Sequence, residues 1–195
     1  PRFWRVVPLQ ALLPMLMTAV FLFQAPLAEH KGWSLTYTAS LFTLYAVCRA
    51  ATSIWIGPKI DKLGAINLVG FMAIPATIGL AAMAFSSATS TAAFYFVMAG
   101  LTSGAAGNIF SATWAELYGP KQLGAIKGLM GSFAVICSAI GPVLAGVLLE
   151  FGWTFESILM LFTAMMTGGV LGALPFGAKP GPKPDNRFPL GPDRE

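Results

Sequence analysis

The chain has 195 residues, 56% of them hydrophobic and 10% charged, with a mean hydropathy of +0.71. Soluble domains carry about 25% charged residues, so the composition excludes a soluble globular protein and points to a membrane protein. The net charge of +4 comes without basic patches interleaved with exposed aromatics, which argues against nucleic acid as a partner.

A helix needs about 20 apolar residues to cross a bilayer, and six stretches meet that length: 6–28, 35–56, 65–85, 91–115, 128–149 and 157–178. They read as helices, because the alternation of a membrane barrel is missing. The predicted fold class is therefore an all-α membrane protein. The connections 29–34, 57–64, 86–90, 116–127 and 150–156 are short, which predicts that consecutive helices are antiparallel neighbours in one bundle over residues 1–178. Residues 179–195 are rich in proline and charge and read as a disordered tail. The first residue is Pro1 and no signal peptide precedes the first span, so the sequence reads as a segment of a longer protein.

If the spans alternate, Arg2, Arg5, Lys59, Lys62, Lys121, Lys127, Lys179, Lys183, Arg187 and Arg194 share one side, and Lys31 stands alone on the other. By the positive-inside rule both termini are expected in the cytoplasm, with the chain in the inner (plasma) membrane. Trp4, Trp33, Trp55, Trp114 and Trp153 lie at span ends and are expected to anchor at the headgroups. Cys48 and Cys137 lie within apolar runs, which suits neither a disulfide framework nor a zinc site. Nothing in the spans suggests a metal or other cofactor.

Proline and glycine punctuate the spans. Pro8, Pro14, Pro26, Pro75 and Pro142 are candidate kinks. Gly100, Gly104 and Gly107 form a small-xxx-small face for close helix contact, with Gly124, Gly128, Gly131, Gly168 and Gly172 as further candidates. The strings GPKIDKLGAI (57–66) and GPKQLGAI (119–126) look alike. Both fall on the same side, whereas an inverted three-plus-three repeat would place corresponding loops on opposite sides.

The hairpin Gly57-Pro58-Lys59-Ile60-Asp61-Lys62-Leu63-Gly64 resembles the G-x-x-x-D-[RK]-x-G loop of the major facilitator superfamily. Gly141-Pro142-Val143-Leu144-Ala145-Gly146 and the loop 115–119 are similar to that family too. The resemblance covers residues 5–178 and implies that these six helices form the C-terminal half of a twelve-helix bundle. It implies a secondary transporter working by alternating access, not an enzyme. The expected partners are membrane lipid, a small-molecule substrate, and an N-terminal six-helix half or a second copy. Gly57, Asp61, Lys62, Gly64 and Glu116 become candidates for a conformational latch, with Asp61 at the positive end of the third span's dipole and Lys62 paired with Glu116. Gly141, Pro142 and Gly146 become candidates for helix packing and gating.

Arg49 is the one charge inside a span. A cation in hydrocarbon is costly and is a functional candidate by default. Monocarboxylate transporters and oxalate–formate exchangers are similar in carrying an arginine in the corresponding helix, where it binds a substrate carboxylate. Guanidinium matches a carboxylate bidentately, so the resemblance implies a small organic anion, with Tyr45 and Asn108 as neighbouring binding candidates. Monocarboxylate transporters have an aspartate where this chain has Tyr45, a departure that bears on proton coupling. Exchangers of the oxalate type use a lysine in the fifth helix, where Lys127 sits only at the mouth. Gln10, Gln24, Ser111, Thr113, Ser132 and Ser138 are further polar candidates for a cavity wall. Alternatively Arg49 snorkels, since Ile56 is about 10 Å away at 1.5 Å per residue. Rival functions are a carrier of neutral solutes or drugs and a non-transporting accessory subunit. An intramembrane enzyme is disfavoured, because the one histidine, His30, lies in a loop and the spans hold no acid.

Overall fold

The structure is a computed structural model and describes residues 3–174; the predicted tail and the end of the sixth stretch lie outside the described residues. All regular structure among the described residues is helical: α1 (Phe3–Leu22), α2 (Gln24–His30), α3 (Leu35–Trp55), α4 (Gly57–Leu63), α5 (Ala65–Phe85), α6 (Thr89–Tyr118), α7 (Leu123–Glu150) and α8 (Phe155–Ala173). A short 3-10 turn, Pro120–Gln122, joins α6 to α7.

Five of these helices, α1, α5, α6, α7 and α8, are long and apolar enough to cross a membrane. α3 and α4, which meet at an angle of 42°, pass the same test only together and make the sixth candidate span. α3 carries Arg49, Thr38, Ser40, Thr43, Thr52 and Ser53, and is the least apolar of the spans for that reason. The result is an all-α, multi-pass bundle of six spans, a number that matches one half of a twelve-helix bundle.

Residues 57–64 form a helix instead of a plain turn. Pro58 supplies a preset φ in the first turn of α4. Gly64, at φ +80°, then reverses the chain into α5, a backbone region that glycine enters without steric cost. Gly57 has no positive φ and open space around its missing Cβ, so the expected need for glycine there is not found.

Only one of the predicted kinks breaks a helix. α1 continues through Pro8 and Pro14, α5 through Pro75 and α7 through Pro142. Pro26 is different. It has no N–H for the carbonyl of Leu22, and the first span divides at Phe23 into α1 and α2. At Pro75 the adjacent amide of Ala76 donates to Thr102 Oγ1 at 3.0 Å, across from α6. Thr102 is fully buried, so this bond fastens α5 to α6 at the proline.

Consecutive spans are mostly not neighbours, contrary to the expectation from short loops. The main packed pairs are α5 with α6, α3 with α6, α1 with α7, α5 with α8 and α1 with α8. The close approaches are set by glycine. Added Cβ atoms at Gly100 and Gly104 would strike α3 at Tyr45, Cys48, Arg49 and Thr52; one at Gly141 would strike the backbone of Met15 in α1. Gly169 meets Leu9 and Leu12 in the same way. The predicted close faces at Gly107, Gly124, Gly128, Gly131, Gly168 and Gly172 meet nothing within 4 Å.

Numbering the spans one to six, the packed pairs are three–four, two–four, one–five, three–six and one–six. Exchanging one, two and three for four, five and six maps this set onto itself. An inverted repeat is thus visible in the packing, although the two similar strings do not report it.

Two tryptophans depart from the expected anchoring. Trp4, Trp55 and Trp153 are exposed, but Trp33 and Trp114 are buried. Trp114 packs against Phe3 at a centroid distance of 5.9 Å, and the Trp33 indole donates to the Ser87 carbonyl at 2.7 Å. Both rings therefore serve interhelical packing.

Candidate functional site

The candidate site forms where α1, α3 and α6 meet. On α3, Phe42, Tyr45, Arg49 and Ser53 recur at three- and four-residue spacing and so share one stripe. On α6, Phe96, Gly100, Gly104 and Asn108 recur every four residues and form the facing stripe. The two glycines bring α6 against the backbone of α3 beside Arg49, which fixes that residue's position along the interface.

Arg49 is exposed at the edge of this contact. Among the described residues its guanidinium has no hydrogen-bond or ion-pair partner. Tyr45, one turn away, stands edge-on to Phe21 of α1 at 5.2 Å. Phe42 lies 5.3 Å from Phe21 and 5.1 Å from Phe96. Phe21, Phe42, Tyr45 and Phe96 thus form an aromatic cluster contributed by three helices, and Arg49 follows Phe42 and Tyr45 on the same stripe of α3.

Asn108 is brought to the same stripe but in another role. Its amide nitrogen donates to the Ser53 carbonyl at 2.9 Å and to the Ser53 hydroxyl at 3.0 Å. A primary amide has two N–H donors, so both are engaged and no donor is left for an anion. Asn108 ties α6 to α3 one turn beyond Arg49. Of the remaining polar candidates, Gln24 donates to the Thr38 carbonyl and Ser138 to the Val135 carbonyl, while Gln10 Oε1 and Thr113 Oγ1 are buried without a hydrogen-bond partner among the described residues. Lys127 is exposed near the start of α7.

A second cluster lies at the end of the bundle that carries α4. Glu116, near the end of α6, accepts the amide of Ala65 at 2.6 Å and that of Ile66 at 3.2 Å. It satisfies two of the amides that α5 leaves open at its start and places a negative charge at the positive end of that helix. This corrects two expectations. The carboxylate capping α5 is Glu116 and not Asp61, because α4 takes Asp61 into its last turn. Helical Cα–Cβ bonds tilt toward the helix start, which for α4 is away from α5. Glu116 is likewise not paired with Lys62; Asp61 and Lys62 are exposed, without ion-pair partners among the described residues. Gly64 and Glu116 do meet, at 3.8 Å from a Cβ placed on Gly64. At the same end Arg5 donates to the Leu174 carbonyl at 2.7 Å and closes α8.

Of the packing candidates, Gly141 is required by contact with Met15, while a Cβ at Gly146 would meet only the Phe23 ring at 3.7 Å. Pro142 lies inside an unbroken α7.

The residues sequence reasoning missed lie at the opposite end. Lys31 and His30 converge on Glu156 at 3.2 Å each. In the sequence Lys31 stands out only as the exception to the charge bias. Its solitude on that side was the available signal that it has a task there.

A family model described as Major Facilitator Superfamily matches residues 7–192 of this chain. No match is found among curated proteins.

Proposed function

The chain belongs to the major facilitator superfamily and serves membrane transport, and we propose that what it moves is a small organic anion, monocarboxylate-like, by alternating access. The observation that carries this reading is Arg49, an exposed guanidinium in the least apolar span with no partner among the described residues. An unpaired cation in the bilayer costs at least about 2.5 kcal/mol on insertion scales, and an anion arriving in a water-filled cavity compensates it. The planar fork of the guanidinium takes a carboxylate through two parallel hydrogen bonds.

The aromatic neighbours shape the rest of the ligand. Phe42 and Tyr45, on the same stripe of α3 as Arg49, pack with Phe21, and an aromatic wall on that stripe suits a solute with one negative group and an apolar body. Arg49 is the one charge in the interior of the spans, away from the ends of the bundle, which favours a monoanion. The other wall of the path is supplied by an N-terminal six-helix half or a second copy, since superfamily members place the site between two such bundles. Both described termini are assigned to the cytoplasmic side of the plasma membrane from the clustering of Arg5, Lys59, Lys62, Lys121 and Lys127 at one end.

The test is ligand-dependent thermal stabilisation of the purified protein, which reports binding to the folded state alone. Short monocarboxylates are expected to raise Tm in a saturable way, with neutral sugars and cationic dyes leaving it unchanged. A shift from a sugar or dye, with none from any carboxylate, assigns the protein to neutral or cationic solutes and makes Arg49 a snorkelling residue.

A further inference from the structure

At the end of the bundle opposite α4, the 86–88 loop and the first turn of α8 meet a single amine, that of Lys31. The side chain of Lys31 is 1% exposed. Its ammonium donates to the Ser86 carbonyl at 3.2 Å, to the Ser87 hydroxyl at 3.5 Å and to Glu156 Oε1 at 3.2 Å. Three donors thus meet three acceptors, two on the 86–88 loop and one in the first turn of α8. His30 Nε2 adds a contact of 3.2 Å to each Glu156 oxygen.

These ties fall at the end of α2, which is jointed to the rest of its span: Pro26 separates α2 from α1 at Phe23, where a backbone bond is missing. Leu27 and Ala28 form the buried face of this short helix, and the polar ties at its end add to that contact.

We propose that α2 is a hinged segment whose resting position is set by the Lys31–Glu156 ion pair, which acts as a releasable latch between α2 and the first turn of α8. The bonds of Lys31 and Trp33 to the 86–88 loop involve backbone and hydroxyl groups, so the Glu156 contacts are the ionic part of the clasp. The charged and titratable groups around it are His30 on α2, Lys31, and the exposed Glu29 and Glu150. α3 contributes only Tyr37, whose hydroxyl donates to the Thr89 carbonyl at 3.5 Å. The proposal does not depend on what the protein carries.

Amide hydrogen exchange of the full chain in lipid nanodiscs tests it. Glu156→Gln keeps the shape and removes the charge. Exchange across 24–34 is expected to rise several-fold, with 65–85 and the 86–88 loop at wild-type rates. Lys31→Met is expected to loosen 24–34 and 86–88 together, and Lys31→Arg to remain near wild type. Wild-type exchange across 24–34 in Glu156→Gln overturns the proposal. So does a rise shared by the whole bundle, which marks a general loss of structure with no separable latch.

Discussion

The carboxylate of Glu116 and the amide of Ala65, on two different helices, stand 2.6 Å apart and close the start of α5 with a side chain from α6. With Gly64 turning the chain just before Ala65, this contact joins α4, α5 and α6 at one corner. The acid of the G-x-x-x-D-K-x-G string contributes nothing comparable in this state, since Asp61 is exposed.

Substitution should therefore separate the two acids. Glu116→Gln weakens the cap by about 1 kcal/mol, the usual scale for losing an N-terminal cap, and is expected to lower Tm. Asp61→Asn is expected to leave Tm within the error of the measurement. Equal loss in both variants, measured side by side in detergent, would show that Asp61 has a structural contact after all.

Thr102 makes the second prediction. Its hydroxyl accepts the Ala76 amide beside Pro75, in a fully buried site. Thr102→Val keeps the shape and leaves that amide without its partner, costing about 1–3 kcal/mol. Thr102→Ser retains the oxygen and should recover most of the difference. The measurement is the denaturation midpoint of both variants; a Val variant as stable as the Ser variant would show that the amide is served within α5.

The two acids and this threonine show what was legible in the sequence and what was not. The spans were legible because hydrocarbon demands long apolar runs, and their ends moved by only a few residues. The break at Phe23 was half legible: Pro26 is a candidate kink in the sequence, but so are Pro8 and Pro14, which α1 absorbs. Helix neighbours were not legible, since they depend on which glycines meet a backbone. Gly100, Gly104 and Gly141 do, and Gly124, Gly128 and Gly131 face open space. At the candidate site, Arg49 could be singled out from its type and place in a span. The engagement of Asn108 with Ser53 could not, because it depends on the register of two helices distant in sequence.

Gly141 gives the third prediction. A Cβ there collides with the Met15 backbone, so α7 must shift away from α1 to accept it. Gly141→Ala is expected to destabilise by about 1–3 kcal/mol, the range for overpacking a filled site. Gly146→Ala meets only an ordinary contact with Phe23 and should be near neutral. Thermal denaturation of the pair decides; a neutral Gly141→Ala would mean that α7 is free to move along α1 in the resting state.

The last prediction concerns Arg49 and the anion. Arg49 lies beside the Gly100–Gly104 contact, so its backbone is fixed while its side chain is exposed. Lysine at this position keeps the charge and loses the planar fork, which matters where a carboxylate is gripped bidentately. Arg49→Lys is thus expected to weaken monocarboxylate binding by about tenfold or more, equivalent to roughly 1.4 kcal/mol, and Arg49→Ala to abolish it. Neither should destabilise the bundle, because the guanidinium has no partner among the described residues. Removing a lone charge from a span is expected to leave Tm unchanged or raise it. Binding is read by isothermal titration and folding by Tm in the absence of ligand. If both variants fold and bind the anion as tightly as the wild type, the guanidinium only snorkels to the headgroups, and the assignment to organic anions falls with it.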